Sequence, residues 1–194
     1  MEKILRALFP FVFIPLFLNA EFAVKSYHEF RNENVIRQSY EQSCGASSLA
    51  TLISMLDIKQ LSELDVLEKM SENKNSLNTD MVSFKDLKET SAKLGYEAQG
   101  YRLDRNLFDK LNIPVLVKIE NDPRFPHFVI AINHPGDFVT IMDPSFGEYV
   151  SLKSDFFKLW DRQSKGGYAL ILASNSGVLK GHKLNLPSKN LFLK

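Results

Sequence analysis

Gln38-Ser39-Tyr40-Glu41-Gln42-Ser43-Cys44-Gly45-Ala46-Ser47-Ser48-Leu49-Ala50 joins a polar, extended segment to a helix, and the chain's only cysteine stands at the junction. From Ala46 onward Ala46, Leu49, Leu52, Ile53 and Leu56 recur three and four apart, the spacing of one buried helical face. Cys44 therefore falls in the first turn, where unpaired backbone N–H groups and the helix dipole favour a thiolate over a thiol. Gly45, without a side chain, leaves room for another backbone such as a substrate strand. A small buried cysteine in a helical core fits the same position equally well. The rest of the chain has to decide between them.

Outward from this stretch, Val35 to Ser39 leads in as extended chain, and the Cys44 helix ends near Asp57. Leu61, Leu64, Leu67 and Met70 recur every third residue behind Ser62, which predicts a second, short helix. A polar, Asn-rich loop fills 72–80. Ser83-Phe84-Lys85-Asp86 resembles a capping box and opens a third helix that carries Leu87, Thr90, Ala92 and Leu94 and stops at Gly95. Strands follow over Tyr96–Leu103, Pro114–Ile119, His127–Ile132, Phe138–Asp143, Glu148–Leu152 and Tyr168–Ala173. Short helices are expected over Asp104–Leu111 and Ser154–Trp160. The turn His134-Pro135-Gly136-Asp137 makes its two flanking strands an antiparallel hairpin. Helices first and a mostly antiparallel sheet second give an α+β domain over 35–173, with the N-terminal helices packed on the sheet. Residues 21–34 form an extended N-terminal arm, and 174–194 a polar C-terminal tail.

The 194 residues carry a net charge of +1 without any basic run, which excludes the electrostatic footprint of a nucleic-acid binder. Residues 1–20 differ from all that follows. Lys3 and Arg6 precede the apolar stretch Ala7 to Leu18, and Leu18-Asn19-Ala20 closes on small residues, the plan of a secretory signal peptide. The expected location is periplasmic or secreted, without bulk membrane insertion once the signal is removed; an uncleaved anchor is the alternative. An exported chain with one cysteine forms no internal disulfide, so Cys44 reads as a reactive thiol or an intermolecular partner.

A thiol nucleophile needs a base, and the base needs an orienting group. His28 lies in the arm, His182 in the tail, and His134 at a turn where a solvated side chain is the default. His127 alone opens a buried strand, so a rigid element positions its ring. Asp143 closes the partner strand at the same end of the hairpin, where a carboxylate can accept the second imidazole N–H. Gln38, upstream of Cys44, can donate to a developing oxyanion beside the Cys44 backbone N–H; Gln42 competes but has little chain with which to fold back. One cysteine and scattered histidines offer no metal-ligand spacing, and no cofactor motif occurs.

Gln38, Cys44-Gly45 six residues later, His127-Phe128-Val129-Ile130 and Asp143-Pro144 together resemble the bacteriocin-processing peptidases. These are papain-like cysteine peptidases that remove double-glycine leaders. The resemblance spans Val35 to Ala173 and implies a papain-like fold, with Cys44 as nucleophile, His127 as base, Asp143 as orienter and Gln38 as oxyanion donor. Ser43 departs from the aspartate that many members carry before the cysteine. Without transporter segments, and with an export signal, the chain resembles the stand-alone exported members, some of which accompany machinery for secreting functional amyloid. The implied partners are an exported polypeptide substrate and a secretion apparatus. A non-catalytic domain of the same fold that escorts a secretion substrate is the rival reading, and acyl transfer by the same residues a third.

Overall fold

A computed structural model describes residues 25–57, 59–72, 79–122 and 124–174. The expected signal peptide, most of the 72–80 loop and nearly all of the C-terminal tail lie outside these residues. The elements run α1 (Tyr27–Asn32), α2 (Cys44–Leu56), α3 (Glu63–Met70), α4 (Phe84–Lys93), β1 (Tyr96–Leu103) and α5 (Arg105–Phe108). β2 (Val115–Ile119), β3 (His127–Asn133), β4 (Phe138–Asp143), β5 (Gly147–Leu152), α6 (Lys153–Trp160) and β6 (Gly167–Ser174) complete the order.

Local chemistry sets the helix starts. Ser62 with Asp65 and Ser83 with Asp86 form reciprocal capping boxes, and Asp104 accepts from the Leu107 N–H. α4 ends where Gly95 takes φ +92°. Two expectations give way. Ser26 and Glu29 form a third capping box, so part of the supposedly extended arm is α1, a helix with no buried face. In α3 the buried residues are Glu63, Val66 and Leu67 while Leu64 is exposed, because a strict threefold spacing drifts around a helix of 3.6 residues per turn.

The six strands form one sheet in the order β1-β6-β2-β3-β4-β5, every neighbouring pair antiparallel. Apolar residues fill both faces, which is why β2 and β3 read as continuous apolar runs. Leu116, Phe128, Ile130, Met142 and Leu170 pack under α2, α3 and α4. Val117, Val129, Ile141 and Ala169 face the opposite way, where α5 and α6 bring an aromatic cluster. There Phe108 lies 5.0 Å from Phe156, and Phe156 stacks on Trp160 at 5.4 Å. The N-terminal helices thus pack on one side as expected, and the two short later helices cover the other. His134 is buried rather than solvated, because the hairpin folds its Nε2 to within 2.7 Å of the Thr140 hydroxyl.

The start of α2 is seated on the sheet at the beginning of β3. The Ser48 hydroxyl donates to the Phe128 carbonyl at 2.9 Å. Gly45 makes this approach close: a Cβ there would meet Val82 Cγ2 at 2.5 Å and Phe128 Cδ2 at 3.3 Å. The space at Gly45 is therefore filled by the core, not left open for a substrate strand. We predict that Gly45→Ala destabilises the fold by about 1–3 kcal/mol, the usual cost of overpacking. Thermal unfolding checks this, and an unchanged Tm would mean that Val82 yields freely.

Candidate active site

Cys44 is the first residue of α2, and the loop before it is tied down by a buried carboxylate. Glu63, at the start of α3, accepts from the Ser39 N–H at 3.0 Å and from the Ser43 hydroxyl. Both partners flank residues 40–42, so the segment that presents Cys44 is fixed at each end. Sequence reasoning missed Glu63. Its one signal was an acidic side chain in a first helical turn, which is too common to single out.

His127 opens β3 beside Ile119 of β2. The β3–β4 register pairs Ile130 with Met142, and one further step sets Asp143 opposite Val129. His127 is then the diagonal neighbour of Asp143 on the same face, within reach of a side-chain contact. The contact is made: His127 Nε2 and Asp143 Oδ1 are 2.9 Å apart. The same Oδ1 accepts from the Ser145 and Phe146 N–H groups at 2.7 and 3.1 Å, so the turn after Pro144 holds the buried carboxylate in place. With Nε2 taken, Nδ1 is the nitrogen left to face the Cys44 thiol.

Burial opposes a charge on His127, but hydrogen bonds to Asp143 and Cys44, and the negative charge of both, outweigh it and push the imidazole up to about 9. A ring held protonated beside the Cys44 sulfur is the arrangement a thiolate–imidazolium pair requires.

Gln38 stands behind this group. Its Oε1 accepts from the Ser145 hydroxyl at 2.9 Å, and its Nε2 donates to the carbonyls of Tyr40 and Glu41 at 3.0 Å each. An oxygen facing a hydroxyl and a nitrogen facing two carbonyls fix the orientation of the amide. The Gln38 N–H and the Arg37 guanidinium both reach the Pro144 carbonyl, at 3.0 and 2.8 Å, so these neighbours clamp the Asp143 turn. Gln38 is thereby tied to Asp143, but its amide hydrogens point into its own loop. Gln42 instead borders the cavity beside Cys44 while its Oε1 accepts from the Met81 N–H at 3.1 Å.

Cys44, His127 and Asp143 open on one cavity of about 680 Å³. Its walls are mainly apolar, with Met81, Ile119, Phe125, Phe146 and Leu159 among them, and Arg31 and Glu41 add the charges. Phe125 is a largely exposed wall of the cavity, whereas Trp160 belongs to the core and Tyr101 to the surface. His28 sits on α1 against Asn32, and His182 lies outside the described residues. Among the described residues no group of three or more His, Cys, Asp or Glu side chains could hold a metal ion, and no helix is long and apolar enough to cross a membrane.

The sequence pattern of the peptidase C39 family matches residues 32–177. A probable functional amyloid protease of Pseudomonas aeruginosa, FapD, is 29% identical over 140 residues, covering 71% of this chain and 62% of that protein. The chain thus spans somewhat under two thirds of that relative. Among solved structures, the peptidase domain of Streptococcus ComA, a bifunctional ABC transporter, superposes with a TM-score of 0.62 at 22% identity, covering 73% of this chain and 98% of that domain. A double glycine motif protease from an AMS/PCAT transporter, solved with the leader peptide, gives 0.58 at 23% identity over 71% of this chain and 89% of that one. At these identities the structural likeness establishes the fold.

Proposed function

This chain belongs to the peptidase C39 family, and from that premise we propose that it is a cysteine endopeptidase acting on an exported polypeptide. The double-glycine leader peptidase family expected from Gln38, Cys44, His127 and Asp143, and its α+β papain-like fold, are thereby established; the roles of those residues and the substrate are our reading. The observation that carries it is the 2.9 Å contact between His127 and Asp143 at the cavity on which Cys44 opens.

In this reading the Cys44 thiolate attacks the scissile carbonyl carbon and forms a tetrahedral adduct. The Cys44 N–H, at the unpaired start of α2, and the Gln38 carboxamide stabilise its oxyanion. For Gln38 to do so, the substrate oxygen has to displace the Tyr40 or Glu41 carbonyl from its amide, a rearrangement that substrate binding drives. The His127 imidazolium passes its Nδ1 proton to the departing amine as the C–N bond breaks, leaving a thioester. Water, deprotonated by His127, then releases the acid and restores the thiolate. Asp143 holds Nε2 throughout, which keeps the ring oriented and favours its imidazolium form in the resting enzyme.

Support for an exported substrate comes from the transporter context of ComA and of the leader-peptide complex, together with the signal-like Met1–Ala20 segment. The test is digestion of a broad peptide library by the purified protein, with product masses read out. Products that sum to the substrate plus one water mean hydrolysis; products joined to a supplied amine mean acyl transfer. The kcat/KM of a cleaved peptide should fall on the alkaline side with a midpoint near His127's value of about 9, because the imidazolium that protonates the leaving group is lost there. An intact library would contradict the proposal.

A further inference from the structure

A second recess of about 540 Å³ adjoins the catalytic cavity, and Leu159 lines both. We infer that this recess, built on Arg102, Lys118 and Arg162 around Tyr168, is a subsite for an acidic side chain of the polypeptide held in the cleft; the assignment rests on the peptidase reading above.

The register places it. Arg102 pairs with Tyr168 across β1 and β6, and Val117 with Ala169 across β6 and β2, so one further step brings Lys118 level with Tyr168. Lys118 pairs in turn with Phe128 on β3, the residue after His127. Arg102, Tyr168 and Lys118 therefore form a row across three adjacent strands, and that row meets the catalytic end of β3. At about 4.8 Å between strands, Tyr168 stands roughly 10 Å from β3 and Arg102 roughly 14 Å. An extended peptide covers that distance in about three to five residues.

The charges in the recess are unequally satisfied. Lys118 is paired with Glu120 at 2.8 Å, and Asp161 is taken by Arg105, also at 2.8 Å. Asp122, whose field Arg162 shares, is held by Arg124 at 2.6 Å. The guanidiniums of Arg102 and Arg162 each make one hydrogen bond, to the Gly166 and Glu120 carbonyls at 3.3 and 3.1 Å. Among the described residues neither has a carboxylate partner. Arg102 is braced over the Tyr168 ring at 5.6 Å, which orders the side chain without using its N–H donors. Two exposed guanidiniums with spare donors, lining one recess, suit a carboxylate. The catalytic cavity offers apolar walls, so the two sites together would select an apolar stretch flanked by an acidic residue.

The experiment has two arms. In the first, the wild type and an Arg102→Gln/Arg162→Gln variant digest the same peptide library. The proposal expects Asp and Glu enriched about three to five residues from the cleaved bond, and an acidic-to-neutral ratio of kcat/KM that drops roughly tenfold in the variant. An unchanged ratio would overturn it. The second arm needs no turnover. In a Cys44→Ala background, a fluorescein-labelled peptide with a run of glutamates should bind more tightly than its glutamine counterpart, and the double variant should erase the difference. No difference to erase would overturn the subsite. A glutamate preference in a wild type that cleaves nothing would keep the recess and remove the peptidase reading.

Discussion

Cys44→Ala should lower peptide hydrolysis by about 10⁴-fold or more while the protein stays folded, because in the proposed mechanism the sulfur forms and breaks the covalent bond and no neighbouring side chain can replace it. The chain has no second cysteine to recruit. Stability should change little. Cys44 is buried, but it borders the cavity, so its loss opens no sealed void against the apolar face of α2. Initial rates measured beside a thermal melt separate the two effects. Residual activity within about tenfold of wild type would remove Cys44 from the mechanism.

Asp143→Ala has the second largest expected effect, and its size follows from what holds the proton on His127. Burial is the strongest influence on that ring and acts against charge; Asp143 is the largest of the influences that overcome it and bring the ring to about 9. Without the carboxylate, burial pulls His127 towards or below its ordinary value of about 6.5, so at pH 7.5 no more than roughly a tenth of the molecules keep the imidazolium. Lost ring orientation adds a comparable factor, and kcat/KM should fall about 10²-fold in all. Asp143→Asn divides the causes. Its amide oxygen can still accept from the Ser145 and Phe146 N–H groups that now bond the carboxylate at 2.7 and 3.1 Å, and from the ring N–H, but it carries no charge. It should keep the turn and lose about tenfold, with the alkaline limb of the pH profile moved down as in the alanine variant. A profile that stays at the wild-type position in both variants would contradict the role given to Asp143.

The same shift links stability to pH. Because His127 in the folded protein lies above its ordinary value, its contacts contribute fully below about pH 6.5 and are lost as pH rises through about 9.

The sequence made visible those features that local chemistry controls. Ser83 with Asp86 announced α4, Gly95 announced its end, and Pro135-Gly136 announced the hairpin that joins His127 to Asp143. The short α1 was missed because Ser26 and Glu29 start a helix that buries nothing, and so leaves no apolar period to read. The fate of Gly45 was misjudged for a different reason: only the docking of α2 on β3 brings Val82 against it. His134 was misjudged because its partner, Thr140, belongs to the facing strand. At the site, Cys44, His127 and Asp143 could be named from a helix start and two strand ends. Glu63 and Ser145, which hold the Cys44 loop and the Gln38 amide, act through contacts between segments far apart in the chain. Arg102 and Lys118 meet on either side of β6 only because β6 inserts between β1 and β2, an arrangement that no local pattern dictates.

The most direct test of a coupled Cys44–His127 pair needs no substrate. The single cysteine makes the iodoacetamide alkylation rate a report on Cys44 alone, read from pH 5 to pH 9 in the wild type and in His127→Ala. The wild type should react at pH 6 nearly as fast as at pH 8.5, and His127→Ala should lose about 100-fold at pH 6, where an ordinary thiol is almost wholly protonated. The same steep rise towards alkaline pH in both proteins would contradict it, leaving Cys44 a buried cysteine beside a histidine that does not serve it.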